Sequence, residues 1–310
     1  MAELIGYILT LDAIFTWGIA SLVYKFGMGK TEPKANLLFR MVCVSVGTFI
    51  FALIFSTFSF LSKMNSEELT IYLFWCLISG LSVTLGDLMY FFSLRKIDAS
   101  RAYPLTQLSL VFVYPFAFIF FGENISISVI LGGVFILSSV FILSSKDKFK
   151  GGEFENHSDK PPEELLIGVL LAIGTALFWA IAIVAFHQAR ILSEDVFATN
   201  FFRIILATLL LAFFGIFKQE YYSGFKKEYK YKRKYLLYVG LAGALSLGFA
   251  DSLFYMAAEI NGLVLTSTIT ANTPMAQQIF SILLLKEKFR KRFFIAVAFI
   301  IIGNYIILFL

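Results

Sequence analysis

Ten long apolar runs constrain the fold of this chain more than any other feature of its sequence. We number them segments 1–10 in chain order, and they cover residues 4–27, 36–61, 70–94, 101–121, 127–145, 165–190, 198–217, 235–258, 263–284 and 293–310. A helix needs about 17–25 apolar residues to cross a bilayer, whereas a membrane β-barrel has short alternating strands. The sequence therefore predicts an all-α polytopic membrane protein with ten transmembrane helices.

The composition excludes several classes of function. Hydrophobic residues make up 59% of the chain and charged residues 15%, whereas a soluble domain has about 25% charged residues. Cys43 and Cys76 lie inside apolar runs, so we predict neither disulfides nor a metal site. The sequence has no phosphate-binding loop, no His-Glu-x-x-His and no nucleophile elbow. We therefore expect no enzyme activity, no cofactor and no nucleic-acid partner.

The two halves of the chain resemble each other. A shift of 162 residues places Trp17 on Trp179, and a shift of 164 residues places Asp87 on Asp251. Because each half holds five segments, an odd number, the two copies must enter the membrane from opposite sides. This inverted repeat is typical of many secondary transporters, which bind their substrate near the midplane.

A polar stretch divides the two halves. Residues 146–164 contain Gly151, Gly152 and charges of both signs, a composition that predicts a flexible linker. The predicted organisation is a first five-helix repeat at 1–145, a cytoplasmic linker and a second five-helix repeat at 165–310.

Positive charge predicts the orientation in the cell membrane. Of the 26 Lys and Arg residues, 22 lie in the stretches that follow segments 1, 3, 5, 7 and 9, if Lys25 and Arg101 at the adjoining segment ends are counted with them. Cytoplasmic loops carry an excess of Lys and Arg, so both termini are predicted to be extracellular. The Lys-rich and Tyr-rich stretch 218–234 fits either the anionic inner leaflet or a solvated loop.

Each half carries an acid deep inside an apolar segment, Asp87 or Asp251, and an arginine near the start of another, Arg40 or Arg203. An ionisable residue there costs about 2.5–3.5 kcal/mol on insertion scales, so it faces a cavity or a partner. From their depths along the helices we predict that Arg40 reaches Asp87 and that Arg203 reaches Asp251. These pairs either gate a cavity by exchanging partners or only orient segments 2 and 7.

Polar and aromatic side chains extend the candidate site. Tyr103 and Gln107 follow one face of segment 4, and Thr270 and Gln277 follow one face of segment 9. Such stripes either line a cavity or join helices by hydrogen bonds. The aromatic candidates for the wall of the cavity are Tyr90, Tyr255, Trp17 and Trp179, for which ordinary packing is the alternative.

Two glutamates follow the acids at a constant distance. Glu123 comes 36 residues after Asp87, and Glu287 comes 36 residues after Asp251. A carboxylate at a membrane edge caps the N–H groups at the start of a helix and meets its positive dipole end. We therefore predict that these glutamates cap segments 5 and 10, which follow them.

The ordered motifs resemble the drug/metabolite transporter superfamily, in particular its EamA-like family. The residues that carry this resemblance are Phe15–Gly18, Lys25, Phe178–Ala180, Arg40, Arg203, Ser93–Ala102, Gly122–Glu123 and Lys286–Glu287. The resemblance implies metabolite transport by alternating access, often export, with segments 3, 4, 8 and 9 around the cavity. Members commonly have cytoplasmic termini, the opposite of what the charges predict for this chain.

The sequence thus predicts a secondary transporter for a small organic metabolite, such as an amino acid or another amphipathic compound. A sugar-nucleotide or phosphate exchanger is the alternative, although anionic substrates need cationic groups and segment 9 has neither Lys nor Arg. A membrane-embedded enzyme is a weaker alternative. Coupling to a proton or another ion, the direction of transport and the oligomeric state stay open.

Overall fold

The computed structural model describes residues 2–97, 99–144, 161–285 and 292–310. These residues are mainly helical, with short turns and loops between the helices, and they contain no β-strand. The predicted all-α fold is therefore confirmed for this part of the chain. Most of the predicted linker lies outside the described residues, and its last three residues belong to a helix.

The described residues form thirteen α-helices. They are α1 (Ala2–Met28), α2 (Pro33–Phe55), α3 (Ser66–Lys96), α4 (Ala99–Thr106), α5 (Ser109–Phe121), α6 (Ile127–Ser144), α7 (Pro162–Leu192), α8 (Val196–Phe217), α9 (Arg233–Gly243), α10 (Asp251–Asn261), α11 (Leu263–Thr270), α12 (Thr273–Leu285) and α13 (Arg292–Phe309). A π-helical stretch, Ala244–Ala250, joins α9 to α10 without a break.

Seven helical stretches are long and apolar enough to cross a membrane. They are Glu3–Met28, Pro33–Phe55, Ser66–Lys96, Ala102–Phe121, Glu163–Leu192, Val196–Phe217 and Arg233–Asn261. Ile127–Ile142 and Phe294–Phe309 are shorter apolar helices. Because apolar helices of this length bury their backbone polar groups internally, the chain is a multi-pass membrane protein.

Helix α3 begins earlier than the hydropathy pattern predicts. The side chain of Asn65 accepts a hydrogen bond from the Glu68 backbone N–H at 2.8 Å, and the Glu68 carboxylate accepts one from the Asn65 N–H at 3.0 Å. This capping box satisfies two donors that would otherwise lack partners at the helix start. The first turn of α3 is polar, so it lies outside the apolar run that marks segment 3.

Segments 4 and 9 are each interrupted in the middle. The first break lies between α4 and α5 at Gln107 and Leu108, and the second lies between α11 and α12 at Ala271 and Asn272. A shift of 164 residues relates the two breaks. Non-helical backbone at membrane depth is tolerated where protein or a cavity surrounds it. We therefore expect protein or a cavity to surround both breaks.

Helices α6 and α13 pack extensively against each other at one side of the bundle. The long helices α3 and α7 pack along each other, one from each half, and α2 packs against α8. The stretch 219–225 folds against α2 and α8 and buries Tyr221, which is 5% exposed. Part of the Lys-rich stretch 218–234 is therefore a packed element of the bundle.

Candidate functional site

A central cavity lies between the two halves of the chain. Its volume is about 960 Å³ when the open solvent space at its mouth is included. Helices α1–α5, α7, α8, α10 and α11 and the π-helical stretch contribute to its wall. Of the twelve predicted site residues, eleven line it: Trp17, Arg40, Asp87, Tyr90, Tyr103, Gln107, Trp179, Arg203, Asp251, Tyr255 and Thr270.

Gln277 is the predicted residue that does not line the cavity. It lies in α12, is 5% exposed, and packs against α1 where a Cβ atom on Gly18 would lie 3.1 Å from its backbone nitrogen. The prediction that Thr270 and Gln277 lie on one helical face assumed that segment 9 is a single continuous helix. The break between α11 and α12 interrupts that helical face, so the two side chains do not share a wall.

Arg40 and Asp87 form a buried ion pair at the wall of the cavity. The Arg40 Nη1 donates to the Asp87 carboxylate, and the two side chains are only 3% and 5% exposed. The Arg40 Nε also donates to the Tyr24 hydroxyl at 3.2 Å. The guanidinium lies 4.7 Å from the centre of the Tyr24 ring and 5.5 Å from that of Phe91, which are cation–π distances.

Arg203 and Asp251 repeat this arrangement in the second half. The Arg203 Nη2 donates to the Asp251 carboxylate at 2.7 Å, and the Nη1 donates to the Tyr255 hydroxyl at 3.2 Å. The guanidinium lies 4.9 Å from the Phe186 ring centre and 5.6 Å from that of Tyr255. Both predicted pairs therefore form within their own halves, and the charge of each acid is balanced locally.

Each acid is also held by a tryptophan from the opposite half. The Trp179 Nε1 donates to Asp87 at 3.2 Å, and the Trp17 Nε1 donates to Asp251 at 3.1 Å. Within each carboxylate, one oxygen accepts from arginine and the other from tryptophan. A movement of one half relative to the other would therefore change the hydrogen bonds of both acids.

Gly86 makes room for one of these indoles. A Cβ atom at Gly86 would lie 2.6 Å from Cδ1 and 2.9 Å from Nε1 of Trp179, closer than side-chain atoms can pack without displacement. The glycine next to Asp87 thus lets the indole approach the acid from the neighbouring helix.

Sequence reasoning missed Tyr24 and Ser246, which join the two halves beside Arg40. Their hydroxyl oxygens are 2.5 Å apart, and both residues line the cavity. Tyr24 lies seven residues after Trp17, on the same face of α1. Helical spacing could therefore have found Tyr24, whereas Ser246 lies in a π-helical stretch that shifts the register of the following residues.

Thr270 also forms a hydrogen bond within its own helix, because its hydroxyl donates to the backbone oxygen of Ser267 at 2.8 Å. Another pair of hydroxyl groups joins two helices. The Tyr114 and Thr268 hydroxyl oxygens, which connect α5 to α11, are 2.7 Å apart. Of the predicted polar stripes, Tyr103, Gln107 and Thr270 line the cavity, whereas the hydrogen bond between α5 and α11 is made by Tyr114 and Thr268.

Glu123 caps a different helix from the one predicted. Its two carboxylate oxygens accept from the backbone N–H groups of Leu263 and Val264, each at 3.0 Å. These are the first residues of α11, in the opposite half of the chain. Gly262 has φ +85°, which lets the chain turn sharply from α10 into α11. Glu287, the equivalent glutamate of the second half, for which a cap on segment 10 is predicted, lies outside the described residues.

Known proteins share both the sequence pattern and the fold. A transporter of Archaeoglobus fulgidus described as uncharacterized is 24% identical over 230 residues, covering 74% of this chain and 73% of that protein. A second uncharacterized transporter, from Methanothermobacter thermautotrophicus, is 30% identical over 139 residues and 38% of its length. A solved crystal structure with 17% identity superposes with a TM-score of 0.69 over 98% of this chain and 95% of that chain.

A shorter match is to a probable 4-amino-4-deoxy-L-arabinose-phosphoundecaprenol flippase subunit ArnF of Serratia proteamaculans. It is 38% identical over 68 residues, which are 21% of this chain and 52% of that protein. The model of the EamA-like transporter family matches this chain twice, at residues 4–145 and 166–309. Together these matches indicate a membrane transporter rather than an enzyme, and the chain belongs to the EamA-like transporter family.

Proposed function

We propose that this protein is a secondary transporter that carries a small organic metabolite across the cell membrane by alternating access. The observation that carries the proposal is the reciprocal environment of Asp87 and Asp251. Each acid binds the arginine of its own half and the tryptophan of the other half, at the wall of a shared cavity. Ionisable residues at such depth mark transport pathways in many membrane proteins.

The proposed architecture is ten membrane crossings in two inverted five-helix repeats. Besides the seven long stretches, which include segment 4, the remaining three crossings are segments 5, 9 and 10, and segment 9 is built from two helices. The double match of the family model supports repeats at 1–145 and 165–310 with a linker between them. In this architecture α6 and α13 stay together at one side, while the remaining segments enclose the substrate.

In the proposed cycle the two acids respond to the relative movement of the halves. When the halves separate at one end, the indole of one half leaves the acid of the other, and water or a proton takes its place. Within each half the Arg–Asp pair is carried as a unit, because its two helices belong to the same repeat. The substrate would bind among Tyr90, Tyr103, Gln107 and Thr270 and the facing aromatic rings.

The chemistry of the cavity favours an amphipathic metabolite, such as an amino acid, over a sugar nucleotide or phosphate. The cationic residues among its described lining residues are Arg40 and Arg203. The net charge of each is already balanced by an aspartate, whereas a phosphate group needs cationic partners whose charge is not already balanced. Indole, phenyl and phenol rings form much of the remaining wall.

Transport is tested with the purified protein in liposomes. We expect flux of a small organic solute from a metabolite panel without ATP, and a pH gradient will show whether protons drive it. Protein-free liposomes with the same lipids are the control. Chemical conversion of a panel solute without flux of any solute would contradict the proposal.

Orientation gives a second test. We propose that both termini are extracellular, because 22 of the Lys and Arg residues lie in loops on the opposite face. A reporter fused after Leu310 should then be labelled by an impermeant reagent added to intact cells. A reporter after Lys230 should be protected under the same conditions. The reverse pattern would restore the orientation that is common in the family.

A further inference from the structure

Three aromatic positions around the ion pairs differ between the halves by a single oxygen atom. The shifts that align the halves pair a tyrosine with a phenylalanine at each position: Tyr24 with Phe186, Tyr90 with Phe254, and Tyr255 with Phe91. The geometry supports this equivalence. Trp179 and Tyr90 have ring centres 5.6 Å apart, and so have Trp17 and Phe254.

Two of the three hydroxyl groups are used within the protein. The Tyr24 hydroxyl accepts from Arg40 and contacts the Ser246 hydroxyl. The Tyr255 hydroxyl accepts from Arg203. These two hydroxyls therefore have structural roles beside the guanidinium groups.

The third hydroxyl, on Tyr90, is different. Tyr90 is 1% exposed and lines the cavity, yet its hydroxyl has no hydrogen-bond partner among the described residues. A buried hydroxyl without a partner lowers the stability of a protein. The second half shows that phenylalanine fits the equivalent position, at Phe254. The unpaired Tyr90 hydroxyl therefore lowers the stability of the folded protein, and a hydrogen bond from this hydroxyl to a ligand would offset that loss.

The other unmatched groups indicate which kind of atom this ligand presents. Both carboxylate oxygens of Asp87 and of Asp251 already accept hydrogen bonds. Besides the Tyr90 hydroxyl, the lining residues leave the Ser267 hydroxyl and the Arg203 Nε without partners in the described part of the chain. All three atoms can donate, and Nε can only donate. The cavity therefore offers donors to an acceptor oxygen of the ligand.

We propose that the Tyr90 hydroxyl donates a hydrogen bond to a carboxylate oxygen of the transported solute and thereby determines its specificity. This inference rests on the proposed transport function and adds the substrate class, an amphipathic carboxylate or amino-acid zwitterion. The apolar part of the solute lies against the rings of Trp17, Trp179 and Phe254.

The test compares the parent with Tyr90→Phe, using three probes of similar shape: L-phenylalanine, 3-phenylpropionate and 2-phenylethylamine. We expect the parent to bind the two carboxylates, and Tyr90→Phe to bind both roughly tenfold or more weakly, as expected for loss of a hydrogen bond to a charged group. The amine, which lacks a carboxylate, should bind weakly to both proteins. Binding is measured by equilibrium titration of the purified protein.

The melting temperature without ligand separates this role from a structural one. Tyr90→Phe should melt at the same temperature as the parent or higher. The matched control is Tyr222→Phe, because the Tyr222 hydroxyl donates to the Ala212 backbone oxygen at 2.9 Å outside the cavity. This control should lower the melting temperature and leave the affinity for L-phenylalanine unchanged.

Three results would overturn the inference: equal affinity of Tyr90→Phe and parent for L-phenylalanine, no binding of either carboxylate by the parent, or a clear fall in the melting temperature of Tyr90→Phe. Failure of the transport function has a different signature. Binding of carboxylates that depends on Tyr90, without flux in liposomes, would contradict transport alone. Flux of a solute that lacks a carboxylate, with neither carboxylate probe bound, would contradict the Tyr90 assignment alone.

Discussion

Replacing Asp87 by Asn is expected to lower the free energy of unfolding by about 3–5 kcal/mol, the cost of leaving a buried charge without its partner, and to abolish solute flux. The unpaired charge would be Arg40, whose side chain is 3% exposed. Asp251→Asn should cost less, because the Asp251 side chain is 15% exposed against 5% for Asp87. Melting temperature and flux across a range of pH values measure the two effects.

A double variant separates stability from transport. Arg40→Gln combined with Asp87→Asn removes both charges, and paired removal is far less destabilising than loss of one partner. We expect this variant to regain most of the lost stability while flux stays absent, because the Trp179 indole no longer meets a carboxylate. If both single Asn variants fold and transport like the parent at every pH, neither acid has a role in transport.

The second large effect is expected at Glu123. Glu123→Ala removes two hydrogen bonds to the start of α11, and a loss of about 1–3 kcal/mol follows from the usual values for a helix cap and for hydrogen bonds to a charged group. Because this contact joins the turn after α5 to α11 across the halves, we also expect altered flux. Melting temperature and initial flux rates measure the change.

Two further variants control this prediction. Glu123→Gln keeps one acceptor oxygen and should lose less stability than Glu123→Ala. Asn124→Ala changes the exposed neighbouring residue and should melt like the parent. A melting temperature of Glu123→Ala equal to that of the parent would show that the cap contributes nothing to the contact between the halves.

The periodic and compositional features of the sequence, together with its motifs, were sufficient to predict the class of fold and the family. Long apolar runs predict helices because the bilayer offers no partners for backbone N–H and C=O groups. The pairing of Arg40 with Asp87 and of Arg203 with Asp251 could also be predicted, because each pair lies within one half at matching depth. The resemblance to EamA-like transporters is confirmed by the family match, while the ten crossings and the extracellular termini stay predictions.

Contacts between the halves could be found only in the tertiary structure. Trp17 donates a hydrogen bond to Asp251, and Trp179 donates one to Asp87. More than 90 residues separate the members of each pair, and no local pattern in the sequence predicts which side chains will meet. For the same reason the prediction that Glu123 caps the following helix was wrong, since the carboxylate binds α11 instead.

A hydropathy pattern shows which face of a helix is buried, but not which side chain of another helix it meets. The break between α11 and α12 removes Gln277 from the cavity, and the packing of whole helices leaves the Tyr90 hydroxyl without a partner among the described residues. Apolar periodicity and the internal repeat can be recognised along the chain without knowledge of its packing. The sequence by itself therefore determined that the chain is helical, that it has two similar halves and which charged residues lie inside the apolar segments. Partner choice depends on how the helices pack in three dimensions, so only the tertiary structure decided which groups are matched and which remain for a substrate.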